Sequence, residues 1–155
     1  MGGTFVEEYF MGEALREAQK AFDLKEVPIG AVVVKDGNII GRGYNLRETL
    51  KDPTAHAEIL AIRQASQTLG GWRLYGCDLY VTIEPCPMCA GAILLSRINR
   101  LIIGAMDPKG GAAGSLLNIP EDGRFNHHTE VIQGVLEEEC SAIMKVFFQE
   151  LRKNK

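Results

Sequence analysis

The stretch "CDLYVTIEPCPMCAGAILLSRINRLIIGA" at positions 77–105 decides the architecture. It opens on "CDLYVTI", a short apolar run rich in β-formers, and closes on "RLIIGA", a second such run. Between them "CPMCAGAILLSRI" is long enough and apolar enough for a helix whose first turn carries Cys86 and Cys89. Strand, helix and strand therefore follow one another, and both thiols fall where the chain leaves a strand and enters a helix.

Upstream, "IGAVVVKDGNIIGRGYN" at 29–45 reads as two strands joined at "KDGN", because Asp36-Gly37 is a strong hairpin signal. The first strand is an unbroken apolar run, as expected when both faces are buried. Residues 5–23 give a helical pattern with Met11, Leu15, Ala18 and Phe22 on one face. A further helix is expected from about Ala55 to the "LGG" stop at 69–71, presenting Ile59, Ile62, Ala65 and Leu69. Met106 to Asn118 is rich in Gly and Ala and reads as a loop long enough to suggest function. A short strand at Glu130–Gln133 precedes a final helix from about Val135 to Arg152. The order α-β-β-α-β-α-β-β-α implies a three-layer α/β/α sandwich with a mixed five-stranded sheet, one domain spanning 1–155.

Composition bounds the function. The chain has 155 residues, 46% hydrophobic and 24% charged, an ordinary balance for a globular protein. Apolar runs such as "AILL" are too short to cross a bilayer, and "MGGTFVEEYF" lacks the basic region of a secretory signal. No membrane association and a cytoplasmic location are expected. A net charge of −3 argues against a general nucleic-acid binder, so any RNA contact must use a local patch. The densest basic cluster is "RKNK" at 152–155.

The chemistry lies in the spacing of His56, Glu58, Cys86 and Cys89. Two thiols and one imidazole make three zinc ligands and leave a fourth position for water, the mark of a catalytic site. Cys86 and Cys89, at i and i+3, point the same way, and a helix N-terminus favours the thiolate that binds metal. If the first and third strands are neighbours, the helix starts at His56 and Cys86 meet at one edge of the sheet. Zinc so held supplies hydroxide near neutrality, and a carboxylate off the metal is needed to carry protons; Glu58 fits that role. A redox CxxC or a closed zinc site completed by Cys77 or Cys140 are the competing readings. Cys140 falls on the apolar stripe Leu136, Cys140, Ile143, Phe147, Leu151, and Cys77 opens a strand away from the helix starts. His127 and His128, adjacent in a polar loop, read as solvated residues.

Longer blocks carry a resemblance. "EVPIGAVVVKDGNIIGRGYN", "DPTAHAEILAIRQA", "LYVTIEPCPMCAGAILLSRI" and "DPKGGAAGSLLNI" resemble the bacterial tRNA-specific adenosine deaminases, from about Val6 through Arg152. "HAE" and "PCPMC" alone are shared across the cytidine deaminase-like superfamily. The resemblance implies a hydrolase that converts the wobble adenosine of an arginine tRNA anticodon to inosine. It further implies a homodimer with one zinc ion per chain and a tRNA anticodon stem-loop as substrate. Zinc hydroxide would attack C6 of the base with Glu58 as proton shuttle. Carried over by position, His56, Cys86 and Cys89 hold zinc, and Asn45 hydrogen-bonds the flipped nucleoside. Pro28 and Ile29 line the purine pocket, while Asp107 and Lys109 contact the anticodon loop. Phe148 lies about 100° around the last helix from Phe147, a position compatible with the core or with an RNA-stacking rim near Arg152. The rival functions are a deaminase of free bases or nucleosides and a catalytically silent zinc- or RNA-binding module. Glu58 argues against the second, because holding zinc does not require it.

Overall fold

Thr4 opens the first helix, α1 (Phe5–Asp23), with a capping box: the Glu7 N–H donates to Thr4 Oγ1 and the Thr4 N–H donates to Glu7 Oε1. The computed structural model describes residues 3–154. After α1 the chain forms β1 (Gly30–Lys35) and β2 (Asn38–Tyr44), an antiparallel hairpin whose turn residues Asp36 and Gly37 both have positive φ. That is the backbone a two-residue turn of the primed type demands. A four-residue helix, α2 (Arg47–Leu50), is followed by α3 (Ala57–Leu69), β3 (Cys77–Ile83), α4 (Pro87–Leu95), β4 (Arg100–Ala105), β5 (Glu130–Ile132) and α5 (Glu137–Lys153).

The sheet order is β2-β1-β3-β4-β5. β1 pairs antiparallel with β2 and with β3, whereas β3–β4 and β4–β5 are parallel, so the sheet is mixed as expected. Alternation along β1 sends Ala31 and Val33 to one face and Val32 and Val34 to the other. The first face packs on α3 and α4 through Ala57, Ala61, Ala65 and Ile93, the second on α1 and α5 through Met11, Ala14 and Cys140. Three layers result. The carboxyl ends of β2, β3 and β4 reach the same edge as the amino end of β1, and the helix starts gather there.

Two details differ from the sequence expectation. Of the stripe expected on α3 through Ile59, Ile62, Ala65 and Leu69, Ala65 is buried and Ile62 packs against the core, but Leu69 is exposed; the fully buried apolar positions are Ala57, Ala61 and Ala65. The reason is close approach: a Cβ at Gly41 or Gly43 would strike the backbone of Ala61 or Ala57, so β2 and α3 touch through small residues. On α5, Leu151 is exposed although it lies on the apolar stripe. Phe147 and Cys140 are buried, and Cys140 presses against Gly104 of β4, acting as a small hydrophobe.

Candidate active site and metal centre

The two helices that meet at the sheet edge begin at the ligand-type residues themselves. His56 is the N-cap of α3 and Cys86 the N-cap of α4, with Pro87 as the first helical residue. Neither side chain caps its own helix, so both are left to face each other. Cys86 therefore stands one step before the helical turn that the sequence reading assigned it, and Cys89 lies inside it. His56 Nδ1 is 3.6 Å from Cys86 Sγ and 3.5 Å from Cys89 Sγ, and all three ligand atoms lie within 4.8 Å of one another. Tetrahedral zinc, with sulfur at about 2.3 Å and nitrogen at about 2.0–2.1 Å, needs an S···N separation of roughly 3.5–3.6 Å. The donor set fits such an ion.

The electrostatics agree. A hydrogen bond from the Cys89 side chain, opposed by burial and helped by backbone N–H groups of the helix start, holds the Cys86 thiol down at about 5. Cys89 is pushed up because it gives that hydrogen bond and is buried. Glu58, two residues into α3, is 4% exposed. Burial pushes its carboxyl up to about 7, against backbone hydrogen bonding and with a further push from the Cys86 charge. A cation held at the cluster would act in the opposite direction.

His56, Glu58 and Cys86 line a cavity of about 680 Å³, ample for a nucleoside, while Cys89 is buried behind it. Val27, Ile29, Asn45 and Arg47, flanking the β1–β2 hairpin, also line it, as do Met106, Asp107 and Lys109, which follow β4. Met144, Lys145 and Phe148 of α5 complete the rim. Asn45 is buried, its Nδ2 donating to Val27 O at 3.1 Å and its Oδ1 accepting from the Arg47 N–H at 3.2 Å. One amide hydrogen remains to serve a ligand. Asp107 Oδ1 accepts from the N–H groups of Lys109 and Gly110, which folds the turn that presents Lys109.

Most of the residues singled out in the sequence converge here, with three adjustments. Ile29 lines the cavity, but Pro28 is buried beside it and Val27 takes the other lining position. Phe148 is 38% exposed and stands at the rim. Arg152 is outside the main cavity, on a shallow depression along α5 that shares Phe148. Sequence reasoning missed Arg47 and Lys145, whose only sequence signal is a charge beside a pocket residue. His127 donates from Nε2 to Ile98 O and takes no part in the cluster.

Comparison with known proteins places this arrangement. The pattern of the MafB19-like deaminase family matches residues 6–152. A tRNA-specific adenosine deaminase of Bacillus subtilis (strain 168) is 56% identical over 149 residues, covering 96% of this chain and 92% of the relative. The chain belongs to the tRNA-specific adenosine deaminases. A solved structure from a study of A-to-I editing by tRNA:A34 deaminases at the wobble position superposes with a TM-score of 0.83 at 50% identity, covering 87% of this deaminase and 98% of that chain. A guanine deaminase from Nitrosomonas europaea shares the fold at a TM-score of 0.79 and 25% identity, covering 90% and 83% of the two chains. The deaminase has no helix, among its described residues, long and apolar enough to cross a membrane.

Proposed function

We propose that this deaminase hydrolyses the wobble adenosine of a tRNA anticodon loop to inosine, in an arginine tRNA as the family resemblance implies. One zinc ion per chain would be held by His56, Cys86 and Cys89. When bound, zinc supplies Lewis acidity that brings the pKa of a coordinated water towards neutrality. The observation that carries the reading is Glu58, a buried carboxylate lining the cavity beside His56 and Cys86. Zinc binding gives no reason for it. Proton transfer does: Glu58 takes one proton from the attacking water and delivers it to the ring nitrogen N1, then takes the proton of the new C6 hydroxyl and passes it to the amine as the C6–N bond breaks. Water and adenosine thereby become inosine and ammonia, and the carboxylate is regenerated.

The remaining side chains bind and orient. Asn45 hydrogen-bonds the flipped nucleoside, and Val27 and Ile29 give the base apolar walls. Arg47, Lys109 and Lys145 supply positive charge for the flanking phosphates at a rim of an otherwise acidic protein. Phe148 offers an aromatic face to an unstacked base, with Arg152 beyond it. We further propose that the chain is one domain, works as a homodimer, and meets its substrate in the cytoplasm. The test incubates purified protein with total tRNA and, separately, with free nucleosides, and reads inosine by mass spectrometry. Inosine in the tRNA is expected; product from free bases or nucleosides alone would overturn the RNA assignment.

A further inference from the structure

Glu84 ends the strand segment that leads through Pro85 into Cys86, and its carboxylate is only 4% exposed. Oε1 accepts from the Asp107 N–H at 2.9 Å and from the Ser115 hydroxyl. Oε2 accepts from the N–H groups of Ala113 at 3.0 Å and Ser115 at 2.9 Å. Next to it the Ala112 N–H donates to Pro85 O at 2.8 Å. The loop from 107 to 115 is wound around a single charged group. A side chain at Gly111 would overlap that carboxylate, so the loop closes on it only because position 111 has no Cβ.

A charge in this place is costly unless its partners are complete. The neighbouring strand ends, Ile83 and Ala105, are apolar, so the sheet itself has no use for a carboxylate there. Every hydrogen bond Glu84 accepts comes from the loop that presents Asp107 and Lys109 to the cavity. One residue, Pro85, separates it from Cys86. We infer that Glu84 is a positioning residue for substrate RNA: it fixes the Asp107–Lys109 wall in register with the metal-ligand strand end, so that flanking nucleotides and reacting base are held in one frame. The inference rests on the reading of this cavity as an RNA site.

The test compares wild type with Glu84→Gln, near in shape but carrying an amide donor into a ring of donors, and with Gly111→Ala, which displaces the same carboxylate from the loop side. Zinc content, kcat and KM are measured on an anticodon stem-loop bearing wobble adenosine, with amide exchange read at Ala113 and Ser115. Both variants are expected to keep one zinc per chain, to exchange faster at those amides, and to raise KM about tenfold while kcat changes less than about threefold. A purely structural role would lower stability without this split. An unchanged KM, or a loss of kcat or zinc with KM unchanged, overturns the role of Glu84. If Glu84→Gln is not recovered folded, Ser115→Ala is judged by the same split, with a KM rise of about threefold expected. Wild-type turnover of the stem-loop is the control: without it the RNA reading and this inference fall together, and with it an unaltered variant KM removes the inference alone.

Discussion

At the scale of single residues, Glu58 and Glu26 show two uses of a buried carboxylate. Glu58 is buried beside ligand-type side chains, and that burial pushes its carboxyl above the usual range. Replacing it by alanine should leave one zinc per chain and the fold intact while turnover falls by about 10³-fold or more. Metal analysis together with kinetics on the stem-loop checks this, and near-normal turnover would contradict it. Glu26 is 1% exposed and accepts from the N–H groups of Glu48 at 3.2 Å and Thr49 at 2.6 Å. Burial alone would raise its carboxyl, but the hydrogen bonds of Thr49 and Glu48 and the charge of Arg47 outweigh it and hold the group below the usual carboxylate range. A lowered folded pKa means stability that is present above the unfolded value of 4.5 and lost as the pH falls through the folded one. Glu26→Gln should therefore cost about 2 kcal/mol at pH 7, a gap that narrows below about pH 4.5. Urea denaturation across that range checks it; a gap that widens towards acid would contradict it.

At the scale of elements, legibility follows from how local the cause is. The hairpin was readable because Asp36-Gly37 fixes its own turn, and the grouping of His56 with Cys86 and Cys89 because ligand chemistry restricts residue type. α2 was not readable: it has four residues, and its N–H groups are tied to Glu26, some twenty positions upstream. The face of α3 is legible only in part, through Ala65 and Ile62, because a hydrophobic pattern favours large residues, whereas contact with Gly41 and Gly43 selects alanine. Glu84 and Lys145 stayed hidden because their partners come from other segments. α5 places two adjacent residues in different surroundings. Phe147 is 8% exposed and meets Phe22 edge-on, whereas Phe148 is 38% exposed at the cavity rim. Phe147→Ala should cost about 3–5 kcal/mol of stability. Phe148→Ala should cost under about 1.5 kcal/mol yet raise KM for the stem-loop about tenfold. Denaturation midpoints and kinetics on the two variants separate these effects; equal losses in both would contradict the division.

At the scale of the whole molecule, α4 leaves an unfinished surface. It carries no charged residue, and Met88 and Leu95, seven positions apart on its outer face, are 36% and 66% exposed. Trp72 nearby is 52% exposed with the Arg73 and Arg97 guanidinium groups over its ring. Such a face on one chain fits a partner copy better than water. Sedimentation should give about twice the 17.0 kDa of one chain at micromolar concentration; a monomer would count against the homodimer. On the proposed reading the base arrives flipped out of an RNA loop, with flanking nucleotides sharing the cost of unstacking. The most direct test is kcat/KM on an anticodon stem-loop bearing wobble adenosine against kcat/KM on free adenosine. A preference for the stem-loop on the order of 10³-fold or more is predicted, whereas equal efficiency on the two, or activity on cytidine or guanine instead, would contradict the account.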